Sequence, residues 1–135
     1  MSKIYKLFLV TGLAAILSAC AADSGPTTSL KVNMVEFTFE PREFTIPAGQ
    51  EIALDLANNG AVVHEFVIMN YGTDIGTTFD EADAPNIYWK AELQPGTSES
   101  FTFTAPSQPG KYQVACGTPG HYEAGMVASL NVVAP

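Results

Sequence analysis

The segment from Cys116 to Met126 constrains the fold more than any other part of this chain. It places a thiol, the imidazole of His121 and a thioether at equal intervals in one glycine-containing loop. A second histidine, His64, lies far upstream at the start of an apolar run, and the chain contains 2 histidines in all. A loop that joins a distant side chain in this way needs a rigid support. Strand ends in a β-fold supply it, because rigid elements hold functional side chains in place.

Short apolar runs separated by turn signals predict an all-β fold. We expect about eight strands, with the alternation of the first strand continuing through Phe37 and Phe39. The run 61–69 is almost continuously apolar, which predicts a strand that is buried on both faces. A short helical excursion is expected within residues 70–85, and no long amphipathic helix. The pattern is typical of a Greek-key β-sandwich.

The N-terminal residues predict an export signal. Lys3 and Lys6 precede the apolar stretch 7–17, which is short for a membrane span. The sequence Leu-Ser-Ala-Cys at 17–20 resembles a bacterial lipobox, which implies that Cys20 is lipidated and becomes the first residue of the mature protein. The alternative is an ordinary secretory cleavage site that leaves Cys20 as a free thiol.

These signals divide the chain into a lipoprotein signal peptide (1–19), a lipidated N-terminus with a flexible tether (20–29) and one domain (30–135). Either form of cleavage places the domain outside the cytoplasm, and the lipobox predicts a lipid anchor to a membrane of the cell envelope. If Cys20 is lipidated, Cys116 has no disulfide partner. A lone thiol in an oxidising compartment is vulnerable unless it is buried or metal-bound, so metal ligation is its simplest explanation.

The charge balance is acidic. The formal net charge is −8, and removal of the leader with Lys3 and Lys6 makes it more negative still. This balance disfavours nucleic acid and anionic lipid head groups as partners. It suits solubility and docking to basic proteins. The alternative is that many exported domains are simply acidic. We expect the partners to be redox donors and acceptors with basic docking surfaces, and we expect a monomer.

The side chains in and around the loop indicate the metal. Two imidazoles, one thiolate and one weak thioether form the ligand set of a blue-copper electron-transfer site. Thiolate and thioether suit the reduced ion, and imidazole suits both oxidation states. Copper is therefore the expected cofactor. The four candidate ligands are His64, Cys116, His121 and Met126.

The loop pattern Cys-x4-His-x4-Met resembles that of the cupredoxins, the small blue-copper family. Its spacing is closest to azurin and auracyanin, and longer between Cys and His than in plastocyanin. The segments EFTFEP (36–41), IPAG (46–49) and NNG (58–60) resemble bacterial members. The resemblance covers roughly residues 30–133, and the predicted lipid anchor favours an auracyanin-like form.

The resemblance implies roles for individual residues. It makes Met126 the long axial ligand of copper and the other three candidates the equatorial ligands, with the carbonyl of Val63 as a weak fifth contact. We expect Tyr122 and Ala124 to form an apolar surface at the edge of His121. One departure is Glu65, because many members of the family carry Asn directly after the first histidine.

Several other functions fit the sequence less well. An extracytoplasmic copper chaperone or storage lipoprotein would use the same ligands, although such sites tend to be exposed and methionine-rich. Zinc fits poorly with a methionine ligand, and the intact ligand set disfavours a metal-free interaction module. A cysteine nucleophile needs an oxyanion site and an orienting group, and a copper oxidase or nitrite reductase needs further histidines. We therefore predict that the protein is not an enzyme.

Overall fold

Nine strands in two sheets make up the computed structural model, which describes residues 25–135. The predicted signal peptide and Cys20 lie outside the described residues. The single short helix among these residues is a 3-10 helix at Glu81–Asn86. The strands are β1 (Ser29–Val35), β2 (Thr38–Glu40), β3 (Glu43–Pro47), β4 (Glu51–Asn58), β5 (His64–Met69), β6 (Ile87–Leu93), β7 (Ser98–Thr104), β8 (Gly110–Ala115) and β9 (Val127–Val133).

The two sheets pack as the predicted sandwich. One sheet has the strand order β2-β1-β4-β7 and the other has the order β3-β9-β8-β5-β6. The pairs β1/β4 and β3/β9 are parallel, and the remaining pairs are antiparallel. Neighbours that are far apart in sequence give the crossovers of a Greek-key arrangement. The prediction of an all-β sandwich with one helical excursion is confirmed.

Alternating side chains build the core between the sheets. On β4, Ile52 and Leu54 are fully buried while Ala53 is exposed, so one face of the strand meets the opposite sheet. At the edge of the sandwich, Trp89 on β6 stacks on Phe103 on β7 with ring centroids 5.2 Å apart. This contact connects β6 and β7, which are edge strands of different sheets.

Strand β5 is buried on both faces, as its continuous apolar sequence predicts. Phe66 and Ile68 belong to the core between the sheets. Val67 and Met69 point the other way, where the excursion between β5 and β6 covers them with Ile75. The strand begins only at His64, because the three preceding residues form a loop.

The expectation that the first strand continues through Phe37 is wrong. β1 ends at Val35, the chain reverses, and β2 pairs back on β1 with Val35 opposite Thr38. The turn displaces Phe37 to the surface, where it is 44% exposed, and Phe39 still reaches the core because the turn preserves the alternation. The turn lies at the end of the sandwich where β5 begins.

The chain joins the fold slightly before the expected domain start at Leu30. The N–H of Thr27 donates to the carbonyl of Thr45, and the carbonyl of Thr28 accepts from the N–H of Ala53. Among residues 25–135, no helix has the length and apolar character needed to cross a bilayer.

Candidate metal centre

Three of the four predicted ligands meet at one end of the sandwich. His64 is the first residue of β5, and Cys116 directly follows β8, which pairs with β5. His121 comes from the loop after Cys116. The Nδ1 atoms of the two histidines lie 3.1 Å apart, and Sγ of Cys116 lies 3.8 Å from Nδ1 of His64 and 3.5 Å from Nδ1 of His121.

These separations fit a single metal ion. Bonds of about 2.0 Å to nitrogen and about 2.3 Å to sulfur are usual for first-row metals such as zinc. Donor atoms of one ion are then roughly 3 to 4 Å apart, which matches the distances among these three groups. A neutral imidazole with its proton on Nε2 offers a lone pair at Nδ1. If both rings carry the proton on Nε2, two such lone pairs face each other across 3.1 Å, and a cation between them removes their repulsion.

Met126 is held beside Cys116 by the main chain. The N–H of Cys116 donates to the carbonyl of Met126 (3.1 Å), and the N–H of Met126 donates to the carbonyl of His121 (3.0 Å). The loop therefore closes on itself where it leaves β8 and enters β9. Gly120 and Gly125 have φ angles of 83° and 94°, a conformation that residues with a Cβ resist. The sequence of this loop thus fixes its path.

Burial of the ligands leaves one edge near solvent. The side chains of His64, Cys116 and Met126 are fully buried, whereas His121 is 8% exposed. Burial lowers the pKa of His64, and the nearby His121 lowers it further. The neutral imidazole, which is the form that binds a metal, is therefore favoured.

Glu65, which directly follows the first histidine, takes a defined position. Its main-chain N–H donates to Sγ of Cys116 at 3.4 Å. Its carboxylate accepts a hydrogen bond from Nζ of Lys90 at 3.0 Å and lies against Gly117, in space that a Cβ there would occupy. The side chain is 15% exposed, so the carboxylate is packed and paired rather than free in solvent.

The carbonyl of Val63 makes a contact that the sequence did not predict. It accepts a hydrogen bond of 3.0 Å from Oγ1 of Thr118. A carbonyl oxygen has two lone pairs, so this bond uses one of them. The bond ties the loop before β5 to the loop that carries His121.

The structure adds an aromatic ring beside His121, where the sequence predicts an apolar surface formed by Tyr122 and Ala124. The ring of Tyr122 packs against the apolar cluster on the outer face of β5, which includes Val67 and Met69. Its hydroxyl donates to the carbonyl of Gly76 at 2.9 Å. Ala124 is exposed in the loop. Phe37 lies edge-on to the His121 ring, with centroids 5.0 Å apart. The contribution of Tyr122 and Ala124 to the surface beside His121 stays a prediction.

Glu36 is a second residue near the centre that sequence reasoning did not single out. Its Oε1 accepts the N–H groups of Ala61 (2.6 Å) and Val62 (3.2 Å) and lies 3.5 Å from Nε2 of His64. The hydrogen bond from Ala61 is the main cause that lowers the pKa of Glu36. The acid is therefore ionised at neutral pH beside the first histidine.

The sequence model of the family described as "Cupredoxin-like domain" matches residues 7–128. This chain is a cupredoxin. Auracyanin-B of Chloroflexus aurantiacus is 36% identical over 110 residues, which are 70% of this chain and 46% of that protein. The copper-resistant cuproprotein CopI of Rubrivivax gelatinosus is 29% identical over 70% of this chain and 59% of that protein. This cupredoxin thus spans about half the length of these two relatives.

A solved structure shows the same fold. The dithionite-reduced auracyanin of Roseiflexus castenholzii superposes with a TM-score of 0.69 and 33% sequence identity, over 81% of this chain and 99% of that one. The three converging donors and the family together identify copper as the cofactor of this cupredoxin, bound at a type 1 centre.

Proposed function

We propose that this cupredoxin is a one-electron carrier that shuttles electrons between redox proteins outside the cytoplasm. Copper supplies the chemistry by cycling between two oxidation states. The observation that carries the proposal is the convergence of His64, Cys116 and His121, whose donor atoms all lie within 4.8 Å of one another in a buried site. Strand ends and loop hydrogen bonds hold these side chains, so a change of oxidation state needs little movement.

The exposed surface near His121 supports a route for the electron. Phe37 and Val62 are 44% and 43% exposed. Both lie next to Glu36: Phe37 follows it in the chain, and the N–H of Val62 donates to its carboxylate. A partner that packs on Phe37 would approach the His121 ring without crossing the sandwich. A few exposed apolar side chains suit the transient complexes of redox proteins, whose interfaces are small.

The acidic charge supports the expected partners. With a net charge of −8, the protein would attract a basic donor or acceptor at a rate that falls as salt rises. We propose that these partners are membrane-associated, because the lipobox at 17–20 supports attachment through Cys20. Mass spectrometry of the native protein tests that attachment: a lipidated N-terminus at Cys20 is expected, and an unmodified N-terminus at another residue would contradict it.

Spectroscopy and kinetics test the carrier function. The oxidised copper protein should be intensely coloured, show a narrow copper hyperfine splitting in electron paramagnetic resonance, and bleach on reduction. Stopped-flow mixing with a basic redox protein should then show rapid electron exchange that slows with added salt. Cys116→Ser should bind copper without the colour. An oxidised, copper-replete wild-type protein that is colourless would overturn the proposal.

Copper handling is the second candidate, because the relative from Rubrivivax gelatinosus is named a copper-resistant cuproprotein. Against it, all three methionines in the described part of the chain are buried: Met34, Met69 and Met126. Exposed methionines are what a copper-exchange surface would offer. A copper(I) chelator separates the two functions, since a carrier retains its ion on reduction for many turnovers. Loss of the ion to the chelator within one turnover would favour copper handling.

A further inference from the structure

The imidazole of His64 has one nitrogen that the metal site leaves without a partner. Its Nδ1 faces His121 and Cys116, while Nε2 points away from them. Nε2 is the one buried side-chain nitrogen or oxygen in residues 25–135 that makes no hydrogen bond. A neutral imidazole that ligates through Nδ1 carries its proton on Nε2. The centre therefore contains a buried N–H donor that needs an acceptor.

Glu36 supplies the acceptor that faces this nitrogen. Its Oε1 lies 3.5 Å from Nε2, which is slightly longer than a formed hydrogen bond. The same oxygen accepts the N–H groups of Ala61 and Val62, the residues that lead towards His64. The carboxylate is thus fixed by the loop that delivers the histidine.

The absence of a side chain at Gly60 allows the carboxylate of Glu36 to approach the imidazole of His64. A Cβ at Gly60 would lie 2.6 Å from Oε1 of Glu36 and 2.7 Å from Nε2 of His64. Any larger residue would push the carboxylate and the imidazole apart. The unpartnered nitrogen, the anchored carboxylate and the missing Cβ are three separate observations that point to one contact.

We propose that Glu36 is a positioning residue that accepts the Nε2–H of His64, fixes its tautomer and presents Nδ1 to copper. The inference rests on copper binding through Nδ1 and not on electron transfer. A ligating histidine commonly donates its second N–H to a carboxylate, which orients the ring and raises its basicity. The negative charge of Glu36 also favours the more highly charged oxidised ion.

Glu36→Gln and Glu36→Ala test the proposal on the full chain. Copper(II) affinity of the apoprotein, measured by competition with a chelator, should fall about tenfold for Gln and up to about 100-fold for Ala. The reduction potential should rise in both. Glu40→Gln is the matched control, because this exposed glutamate on β2 accepts only from Nδ2 of Asn33 at 2.8 Å. It should change neither quantity.

A purely structural role for Glu36 predicts a different result. It would lower the melting temperature through the lost Ala61 and Val62 contacts but leave the potential unchanged. Nitrogen NMR of the reduced, diamagnetic copper form reports the Nε2–H of His64 directly, and its signal should shift in Glu36→Gln. Should Glu36→Ala fail to fold, Gly60→Ala tests the same contact with the carboxylate retained. Wild-type affinity and potential in either Glu36→Gln or Gly60→Ala would overturn the proposal, whatever the electron-transfer rates are.

Discussion

The main-chain N–H of Glu65 donates a hydrogen bond of 3.4 Å to Sγ of Cys116. Hydrogen bonds to a thiolate stabilise its negative charge and so tune the metal that it binds. The side chain of Glu65 is held separately, by Lys90 on the neighbouring strand β6. The thiolate is thereby connected through one residue to an ion pair on the outer face of the sheet.

Removal of that cation should lower the reduction potential. Lys90→Met leaves the carboxylate of Glu65 without its neutralising partner near the centre, and negative charge favours the oxidised ion. Lys90 is 52% exposed, so solvent screens the effect. An exposed pair is worth about 0.2–1 kcal/mol, which corresponds to roughly 10–40 mV for a one-electron couple. Cyclic voltammetry at low salt measures it.

Lys111→Met is the control for this change of charge. Lys111 lies near the start of β8, at the other end of the strand from Cys116, and should leave the potential almost unchanged. Equal shifts in the two variants would mean that net charge, and not the Glu65 ion pair, sets the effect.

A methyl group at residue 117 should destabilise the fold. In Gly117→Ala the new Cβ would collide with the Glu65 carboxylate and lie 3.2 Å from Cε1 of Phe79. Overpacking of this kind costs about 1–3 kcal/mol of unfolding free energy. Chemical denaturation of the copper-free protein measures the loss. Glu65→Ala in the same chain should recover most of it, and additive effects of the two changes would show that they do not touch.

Met126→Gln should retain copper and lower the reduction potential, because an oxygen ligand favours the oxidised ion more than a thioether does. Met126 is fully buried, and its main-chain groups are hydrogen-bonded to Cys116 and His121. These main-chain bonds do not involve the side chain, so the loop should keep its conformation. Voltammetry and the visible spectrum together check the expectation. An unchanged potential would remove Met126 from the axial position.

Two aromatic variants should separate the contact surface from the scaffold. Phe37→Ser should slow electron self-exchange while potential and stability stay near wild type, because the ring is 44% exposed beside His121. Tyr122→Phe should lower the free energy of unfolding and leave electron self-exchange unchanged. This variant loses the hydrogen bond to the carbonyl of Gly76, which is worth about 0.5–1.5 kcal/mol. If self-exchange slows in Tyr122→Phe and not in Phe37→Ser, Tyr122 forms the contact surface, as the sequence predicts.

Copper removal should lower the melting temperature strongly. A ligand that binds only the folded state stabilises it by about 4.1 kcal/mol at a free concentration 1,000 times its dissociation constant. Calorimetry of the apoprotein and of protein with excess copper measures the difference. Cys116→Ser should show a smaller dependence on copper, and equal dependence would mean that copper stabilises the fold from another site.

The sandwich and three of the four ligands could be predicted because both depend on local patterns. Residue spacing puts Cys116, His121 and Met126 in one loop, and the alternation on strands such as β4 gives the buried faces directly. His64 was found because histidine is rare in this chain. The resemblance to cupredoxins then joined the distant strand to the loop, which spacing alone does not do.

The remaining features depend on contacts between distant segments. The turn at Glu36 and Phe37 contains no Gly, Pro or Asn, and it keeps the two-residue alternation, so the sequence carries no sign of it. The approach of Glu36 to His64 joins residues 28 positions apart through a loop at Gly60. The packing of Tyr122 against the excursion after β5 could not be predicted either, because its own sequence neighbours do not show that excursion.

The direction of β1 determines how the protein is presented. This strand of 7 residues starts at Ser29 and ends at Val35, next to the turn that carries Phe37, so it spans about 20 Å of the sandwich. A chain attached to a bilayer through its N-terminus would thus be held at the end of the sandwich opposite His121. The end that carries His121 would then face away from the bilayer, where diffusing partners and other membrane-attached proteins could reach it.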